Sequence, residues 1–152
     1  MAGIRVVALL AVLAAPLAAL ALEGDVPSRA GPGDALWQAI VAVESGGDAA
    51  AYNARDGATG IAQIRMVCLA DVNRIAKIRG LAARFSPSDR RNPEAARRIW
   101  NLYLDYYGNE YQQATGREPT DEVYARIWNG GPTGWRKAST ADYWGRVRAA
   151  LQ

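Results

Sequence analysis

The 152-residue chain contains no histidine and a single cysteine, Cys68. These absences exclude a disulfide within the chain, a Ser-His or Cys-His catalytic pair, and a zinc site made of His and Cys ligands. The apolar neighbours of Cys68, at positions 66–70, indicate a small buried hydrophobe and not a reactive thiol. Catalysis by this chain would therefore have to use carboxylates, Lys, Tyr, Ser, Thr or backbone groups.

The chain also lacks a strong charge of one sign, because 18 Lys and Arg face 15 Asp and Glu, a formal net charge of +3. Basic residues are concentrated between Arg74 and Arg98. Such a run is typical of a solvated helix face, and in an exported protein it could also favour an anionic polymer such as a bacterial wall. No recognisable nucleic-acid-binding motif is present, so we expect no nucleic-acid partner.

The longest apolar run, in residues 1–21, is too short and too interrupted for a membrane-spanning helix. Arg5 gives it a positive start, Pro16 interrupts it, and the sequence ALA at 19–21 is a small-x-small cleavage site. We therefore predict a signal peptide at 1–21 and export to the periplasm or the extracellular space, with an uncleaved anchor as the alternative. Residues 22–33 have linker composition, and 34–152 are expected to form one domain, a monomer without a stable membrane span after processing.

Apolar residues spaced by threes and fours predict five or six helices and no convincing strand, hence a mainly α fold. Asp34 is predicted to cap the first helix, which should end at Gly46-Gly47. Asn92 and Thr120 are predicted caps of later helices, and Ser139 or Thr140 should cap the last one. The intervals predicted to be helical are about 34–45, 67–79, 93–107, 110–115, 121–128 and 141–151.

One acidic residue, Glu44, lies on the apolar stripe of the first helix. The stripe includes Leu36, Trp37, Ile40 and Val41, at helical spacing. Burial and the negative end of the helix dipole both disfavour the charged carboxylate, so we expect a raised pKa for Glu44. A proton kept near neutral pH is what a general acid needs. The alternative is a glutamate that simply points outward from the end of the helix.

Five short segments follow one another in a recognisable order. They are VESGG at 43–47, GATGIAQI at 57–64, NP at 92–93 opening a helix that contains YL at 103–104, IWNGGP at 127–132 and YWGRV at 143–147. Their order and spacing resemble the lytic transglycosylase domain of the soluble type, within the lysozyme-like superfamily. The resemblance covers about residues 34–150 and implies a single domain of five to seven helices with a substrate groove.

The resemblance implies cleavage of the β-1,4 bond between N-acetylmuramic acid and N-acetylglucosamine, with peptidoglycan as the partner. Glu44 matches the family's single acid/base, which would protonate the glycosidic oxygen and then take a proton from the muramyl O6, giving a 1,6-anhydro ring. The substrate's own acetamido group would support the anomeric carbon, so no metal and no cofactor are expected. The alternatives are a hydrolase of the goose-lysozyme kind, a non-catalytic wall-binding domain, and a purely structural secreted helical protein.

The resemblance also places residues along the sugar groove. Gln63 and Asn129 match family positions that line it, and Trp128 stands where the family has a Tyr whose hydroxyl can face the catalytic Glu. An indole can stack on a sugar but accepts no hydrogen bond, so Tyr52 is a candidate to supply the missing hydroxyl. Ser45, next to Glu44, completes the candidate substrate-binding set.

Other residues have two interpretations. Asp48 or Asp56 could hold a water as a second carboxylate, or could only serve the turn geometry of their loop. Arg65 is followed by Met66 where the family often has Met-Pro. A set of aromatic residues could stack on sugars, although helical spacing favours core positions for most of them: Tyr106, Tyr107, Trp135 and Tyr143.

Overall fold

The computed structural model describes residues 32–152, and within them the chain is mainly α, as predicted. The predicted signal peptide and residues 22–31 of the predicted linker lie outside the described residues. The five α-helices of the described part are α1 (Asp34–Ser45), α2 (Met66–Ile78), α3 (Pro93–Thr115), α4 (Asp121–Gly130) and α5 (Ala141–Ala150). None of these helices is long and apolar enough to cross a membrane.

The middle of α3 lies in the core of the domain. Trp100 and Leu104 of α3 are fully buried, and the ring of Trp100 lies 5.3 Å from that of Trp37 on α1. α2 packs on α3, α4 packs on both α3 and α5, and α5 also packs on α1. The contact between α1 and α5 joins two ends of the domain that are far apart in sequence, and it determines the surroundings of Glu44.

The start of α1 differs from the prediction and its end agrees with it. Gly33 occupies the N-cap position and no side chain caps the helix, so the prediction of Asp34 as the cap was wrong. The Asp34 carboxylate instead accepts a hydrogen bond from the Arg97 guanidinium at 2.9 Å. At the other end, Gly46 adopts the left-handed conformation (φ 66°), which ends the helix beside Glu44.

α3 is longer than predicted. The expected end at Tyr107 and the separate short helix at 110–115 were both wrong, because α3 continues through Gly108 to Thr115. Gly108 is buried, and a Cβ at this position would lie 2.7 Å from Cε1 of Tyr124 on α4. The glycine therefore allows α3 and α4 to approach closely and does not end the helix, which Gly116 does with a φ of 70°.

The predicted caps of the later helices had different outcomes. The Asn92 side chain accepts a hydrogen bond from the third residue of α3, and Thr120 does the same for α4, so both caps are confirmed. Thr140 stands at the N-cap position of α5, but its side chain does not cap that helix. Its hydroxyl donates instead toward the carbonyl oxygens of Gly134 and Lys137, each at 2.8 Å, because the chain before α5 forms two short 3-10 turns.

The loop after α1 contains a hairpin that sequence analysis missed. β1 (Tyr52–Asn53) pairs antiparallel with β2 (Ala58–Thr59). Each strand has only two residues, which is too few to show an alternating pattern in the sequence. The Arg90 guanidinium, from the 3-10 turn Pro87–Arg91, donates to the carbonyl oxygens of Gly57 and Ile64, both at 3.0 Å. Arg90 thereby fixes the hairpin against the segment that leads into α2.

Candidate active site

A cleft of about 890 Å³ opens beside the end of α1. Its walls come from the hairpin loop, the first turns of α2, the end of α4 and one face of α5. The lining residues that matter for its chemistry are Glu44, Asp56, Gln63, Arg65, Cys68, Asp71, Arg74, Tyr103, Trp128, Asn129, Tyr143 and Arg146. A cleft of this size is typical of a ligand-binding site.

Glu44 lines this cleft and is only partly exposed. Burial raises the pKa of its carboxyl above the ordinary value of 4.5, as expected from the apolar stripe of α1. The Tyr143 hydrogen bond and the positive charges of Arg146 and Arg65 lower that pKa, and the charge of Asp56 raises it. The effect of burial is the largest, so Glu44 keeps its proton to a higher pH than an unburied glutamate does.

Tyr143 supplies the hydroxyl that faces Glu44. Its phenol donates a hydrogen bond to Oε1 of Glu44 at 2.7 Å, and its side chain is 3% exposed. Burial, and then the nearby Glu44 charge, raise the pKa of the Tyr143 hydroxyl, so it keeps its proton and remains a donor. Sequence analysis considered Tyr143 only as a groove aromatic or a core residue.

The prediction that Tyr52 could supply this hydroxyl was wrong. Tyr52 is 61% exposed on the hairpin and does not line the cleft. A signal for the correct residue was present in the segment at 143–147. Tyr143 and Arg146 are three residues apart on α5, so they lie on one face of the helix, and both line the cleft.

Three of the predicted substrate-binding residues lie in the same cleft as Glu44: Gln63, Trp128 and Asn129. Gln63 has an unusual backbone for a residue with a side chain (φ 48°), and its amide nitrogen donates to the Gly60 carbonyl at 3.0 Å. The ring of Trp128 packs edge-on against Tyr103, with centroids 5.8 Å apart. The structure therefore brings these three side chains together around one space, and their contact with a sugar stays a prediction.

Ser45 has a different place. Its hydroxyl donates to the Ile61 carbonyl at 2.8 Å and accepts from the Gly47 amide at 3.2 Å, and it is not among the cleft-lining residues. Ser45 thus connects the end of α1 to the chain before α2. We remove it from the candidate substrate-binding set, since its hydroxyl is used within the fold.

The two aspartates of the loop, Asp48 and Asp56, differ in their position relative to the cleft. Asp56 lines the cleft, where its carboxylate also accepts the Ala58 amide at 3.2 Å. Asp48 accepts the Ala50 amide at 2.8 Å, is exposed and does not line the cleft. Of these two loop aspartates, Asp56 is therefore the one placed to act as a second carboxylate near Glu44.

One wall of the cleft, formed by α2, was missed by sequence analysis. Cys68, Asp71 and Arg74 are spaced by three and occupy one face of the helix. Arg74 donates to Asp71 at 2.8 Å and to the Tyr107 hydroxyl at 3.2 Å. Cys68 is half-buried, and burial raises the pKa of its thiol to about 12, so it is an unreactive part of this wall.

Among residues 32–152 there is no group of three or more His, Cys, Asp or Glu side chains placed to hold a metal ion.

No family model matches the chain, and no curated protein matches it. Its fold is similar to a chain in the crystal structure of Aeromonas hydrophila PliI in complex with Meretrix lusoria lysozyme. The TM-score is 0.62 and the identity 24%, over 77% of this chain and 88% of that one. At this level of identity the likeness shows the fold alone.

Proposed function

We propose that this protein cleaves the glycan strands of peptidoglycan between N-acetylmuramic acid and N-acetylglucosamine, without a metal or a cofactor. The product would be a 1,6-anhydro muramyl end, as in lytic transglycosylases. One observation carries the proposal: Glu44 combines a raised pKa, partial burial and a phenol donor with a position on the wall of an open cleft. These are the properties of a general acid that acts on a bound substrate.

The hydrogen bond from Tyr143 decides which oxygen of Glu44 carries the proton. Since Oε1 accepts the phenol hydrogen, the acidic proton is left to Oε2. Oε2 would give this proton to the glycosidic oxygen as the bond to the anomeric carbon breaks, while the substrate's acetamido oxygen supports that carbon. The Glu44 carboxylate would then take the proton of the muramyl O6, and O6 would close the anhydro ring on the anomeric carbon.

The other cleft residues suit a sugar polymer. The indole of Trp128 offers a flat apolar face for a sugar ring and one N–H donor. The amides of Gln63 and Asn129 can each donate and accept, as hydroxyl and acetamido groups require. The similar fold occurs in a complex of PliI with a lysozyme, which supports a lysozyme-related role and does not distinguish catalysis from binding.

Asp56 supports a second candidate, hydrolysis of the same bond. Its carboxylate lies in the cleft with Glu44 and could hold a water that attacks the anomeric carbon, as in glycosidases that use two carboxylates. The product would then be a reducing muramyl end. Glu44 would still donate the first proton, so the two candidates differ only in the group that attacks.

Mass spectrometry of the products separates the candidates. Purified peptidoglycan is digested with the wild type and with Asp56→Asn. For a transglycosylase, each released muramyl end is lighter by one water than a hydrolytic product, and Asp56→Asn retains activity. Hydrolytic masses that disappear in Asp56→Asn would assign the hydrolase. Binding without any cleavage, either to the wall or to a lysozyme as in the PliI complex, would make this a non-catalytic binding domain.

A further inference from the structure

Two arginines of the cleft, Arg65 and Arg146, form no direct ion pair with an acidic side chain in the described part of the chain. Arg65 immediately precedes α2, Arg146 lies on α5, and both line the cleft with Glu44. The ion pairs found within residues 32–152 use other arginines: Arg74 with Asp71, Arg79 with Asp105, Arg97 with Asp34, and Arg126 with Glu122. Two guanidinium groups that form no direct ion pair and share one cleft are suited to an anionic ligand group.

We propose that Arg65 and Arg146 bind the carboxylate of the 3-O-lactyl group of N-acetylmuramic acid, on glycan strands from which the stem peptide has been removed. This inference rests on the proposed function and names the form of the substrate. When a stem peptide is attached, the lactyl group is an uncharged amide. When the peptide is absent, the same group carries a negative charge that a guanidinium can bind through two parallel hydrogen bonds.

The position of the two arginines fits this group. Both guanidinium charges are close enough to Glu44 to lower its pKa. The lactyl group belongs to the same muramyl ring whose glycosidic bond Glu44 would protonate, so its carboxylate would lie within about one sugar ring of Glu44. The guanidinium carbon of Arg146 lies 5.7 Å from the centroid of the Tyr143 ring, which restricts where that cation can be.

A bound carboxylate would also change the ionisation of Glu44. The groups that influence the Glu44 carboxyl are Tyr143 and Arg146 on α5, Arg65 before α2, and Asp56 in the hairpin loop. Of these, the two arginines are the positive charges that favour the ionised form. A lactyl carboxylate paired with them would cancel this effect, and the pKa of Glu44 would rise in the complex. Strands without peptides would therefore keep the acid form of Glu44 to a higher pH.

Equilibrium binding tests the proposal without cleavage. The Glu44→Gln variant is titrated with peptidoglycan strands that either carry stem peptides or have had them removed at the lactyl amide. We expect tighter binding of the peptide-free strands. Adding Arg65→Gln or Arg146→Gln should weaken that binding about twofold to fivefold each, the effect of losing an exposed ion pair, and should leave binding of peptide-bearing strands unchanged.

Arg148→Gln is the matched control, because Arg148 is an exposed arginine of the same helix that does not line the cleft. It removes the same net charge and should change the affinity neither for peptide-free nor for peptide-bearing strands. Arg65→Lys and Arg146→Lys, which keep the charge, should restore part of the binding. A second measurement follows cleavage by the wild type against pH, and the loss of kcat at high pH should occur at a higher pH with peptide-free strands.

Three results would overturn the proposal. The first is equal affinity of the Glu44→Gln variant for the two kinds of strand. The second is a loss in Arg65→Gln and Arg146→Gln no larger than in Arg148→Gln. The third is tighter binding of peptide-bearing strands that is lost in Arg65→Gln and Arg146→Gln. This result would mean that the two arginines bind a carboxylate of the stem peptide. If the wild type cleaves neither kind of strand, the proposed function fails. The binding comparison still shows whether the two arginines bind the lactyl carboxylate, because it does not depend on cleavage.

Discussion

The hydroxyl of Tyr143 lies 2.7 Å from Oε1 of Glu44, although 99 positions separate the two residues in the chain. The contact exists because α5 packs on α1 and brings Tyr143 to the end of the helix that carries Glu44. Tyr143 is 3% exposed, so its side of the hydrogen bond is shielded from water, while Glu44 faces the cleft. This pair of residues is the centre of the proposed active site.

Tyr143→Phe removes the hydroxyl and keeps the ring. Because the Tyr143 hydrogen bond lowers the pKa of Glu44, its loss should raise that pKa further and move the alkaline limb of the kcat/KM profile to higher pH. We also expect about tenfold lower activity at the optimum, since one hydrogen bond that orients the acid is lost. Tyr52→Phe is the control and should leave the profile unchanged. A shift in Tyr52→Phe and none in Tyr143→Phe would contradict the assignment.

The stability of the protein should depend on pH through Glu44. Its pKa in the folded protein is raised above 4.5, so the folded state holds this proton more tightly than the unfolded chain. The free energy of unfolding should therefore decrease as the pH rises from about 4.5 through the folded pKa, and Glu44→Gln should not show this loss. Thermal melts of the two proteins would show a Tm difference that grows in favour of Glu44→Gln over this window. Glu110→Gln, on the exposed part of α3, serves as the control and should follow the wild type.

The local part of the site could be predicted from the sequence. The apolar stripe and the Gly46-Gly47 end of α1 identify Glu44, because both signals lie within a few residues of it. The role of Tyr143 could not be predicted in this way, since it depends on the packing of α1 against α5. Tyr52 was the wrong candidate for the same reason: nearness in sequence gave no information about which hydroxyl the fold brings to Glu44.

Gly108 shows a second limit of sequence patterns. A glycine after an apolar stripe is a typical helix end, yet here its missing side chain lets Tyr124 approach α3, which a pattern within one helix does not contain. The hairpin was missed for another reason: its two strands have two residues each, too few to show an alternating pattern. The mainly α class was predictable because long helical stripes dominate the described part of the chain.

Two glycine substitutions inside helices should have opposite effects on stability. At Gly108 a Cβ would lie 2.7 Å from Cε1 of Tyr124, so Gly108→Ala should lower the free energy of unfolding by about 1–3 kcal/mol through overpacking. At Gly145, in α5, a Cβ meets nothing within 4 Å. Gly145→Ala should therefore stabilise by about 0.5–1 kcal/mol, the difference in helix propensity. Urea unfolding of both variants checks the pair, and equal effects would contradict the close packing of α3 on α4.

The thiol of Cys68 should resist alkylation in the folded protein. Burial raises its pKa to about 12, so the reactive thiolate is rare at pH 8. Iodoacetamide should modify the folded protein about a thousandfold more slowly than the same protein in denaturant, because the thiolate fraction falls tenfold for each unit of pKa. The rates are compared by intact mass. Similar rates in the two states would show that Cys68 is exposed and that the α2 wall of the cleft is not packed as described.

The most direct test of the account is the rate at which Glu44→Gln releases soluble fragments from purified peptidoglycan, compared with the wild type and with Glu110→Gln. Glutamine keeps the shape and the hydrogen bond from Tyr143 but has no proton to give to the glycosidic oxygen. We predict that the wild type and Glu110→Gln release fragments equally well and that Glu44→Gln is at least about a hundredfold slower, as expected for the loss of a general acid. Release by Glu44→Gln at the wild-type rate would contradict the central claim that Glu44 is the catalytic acid.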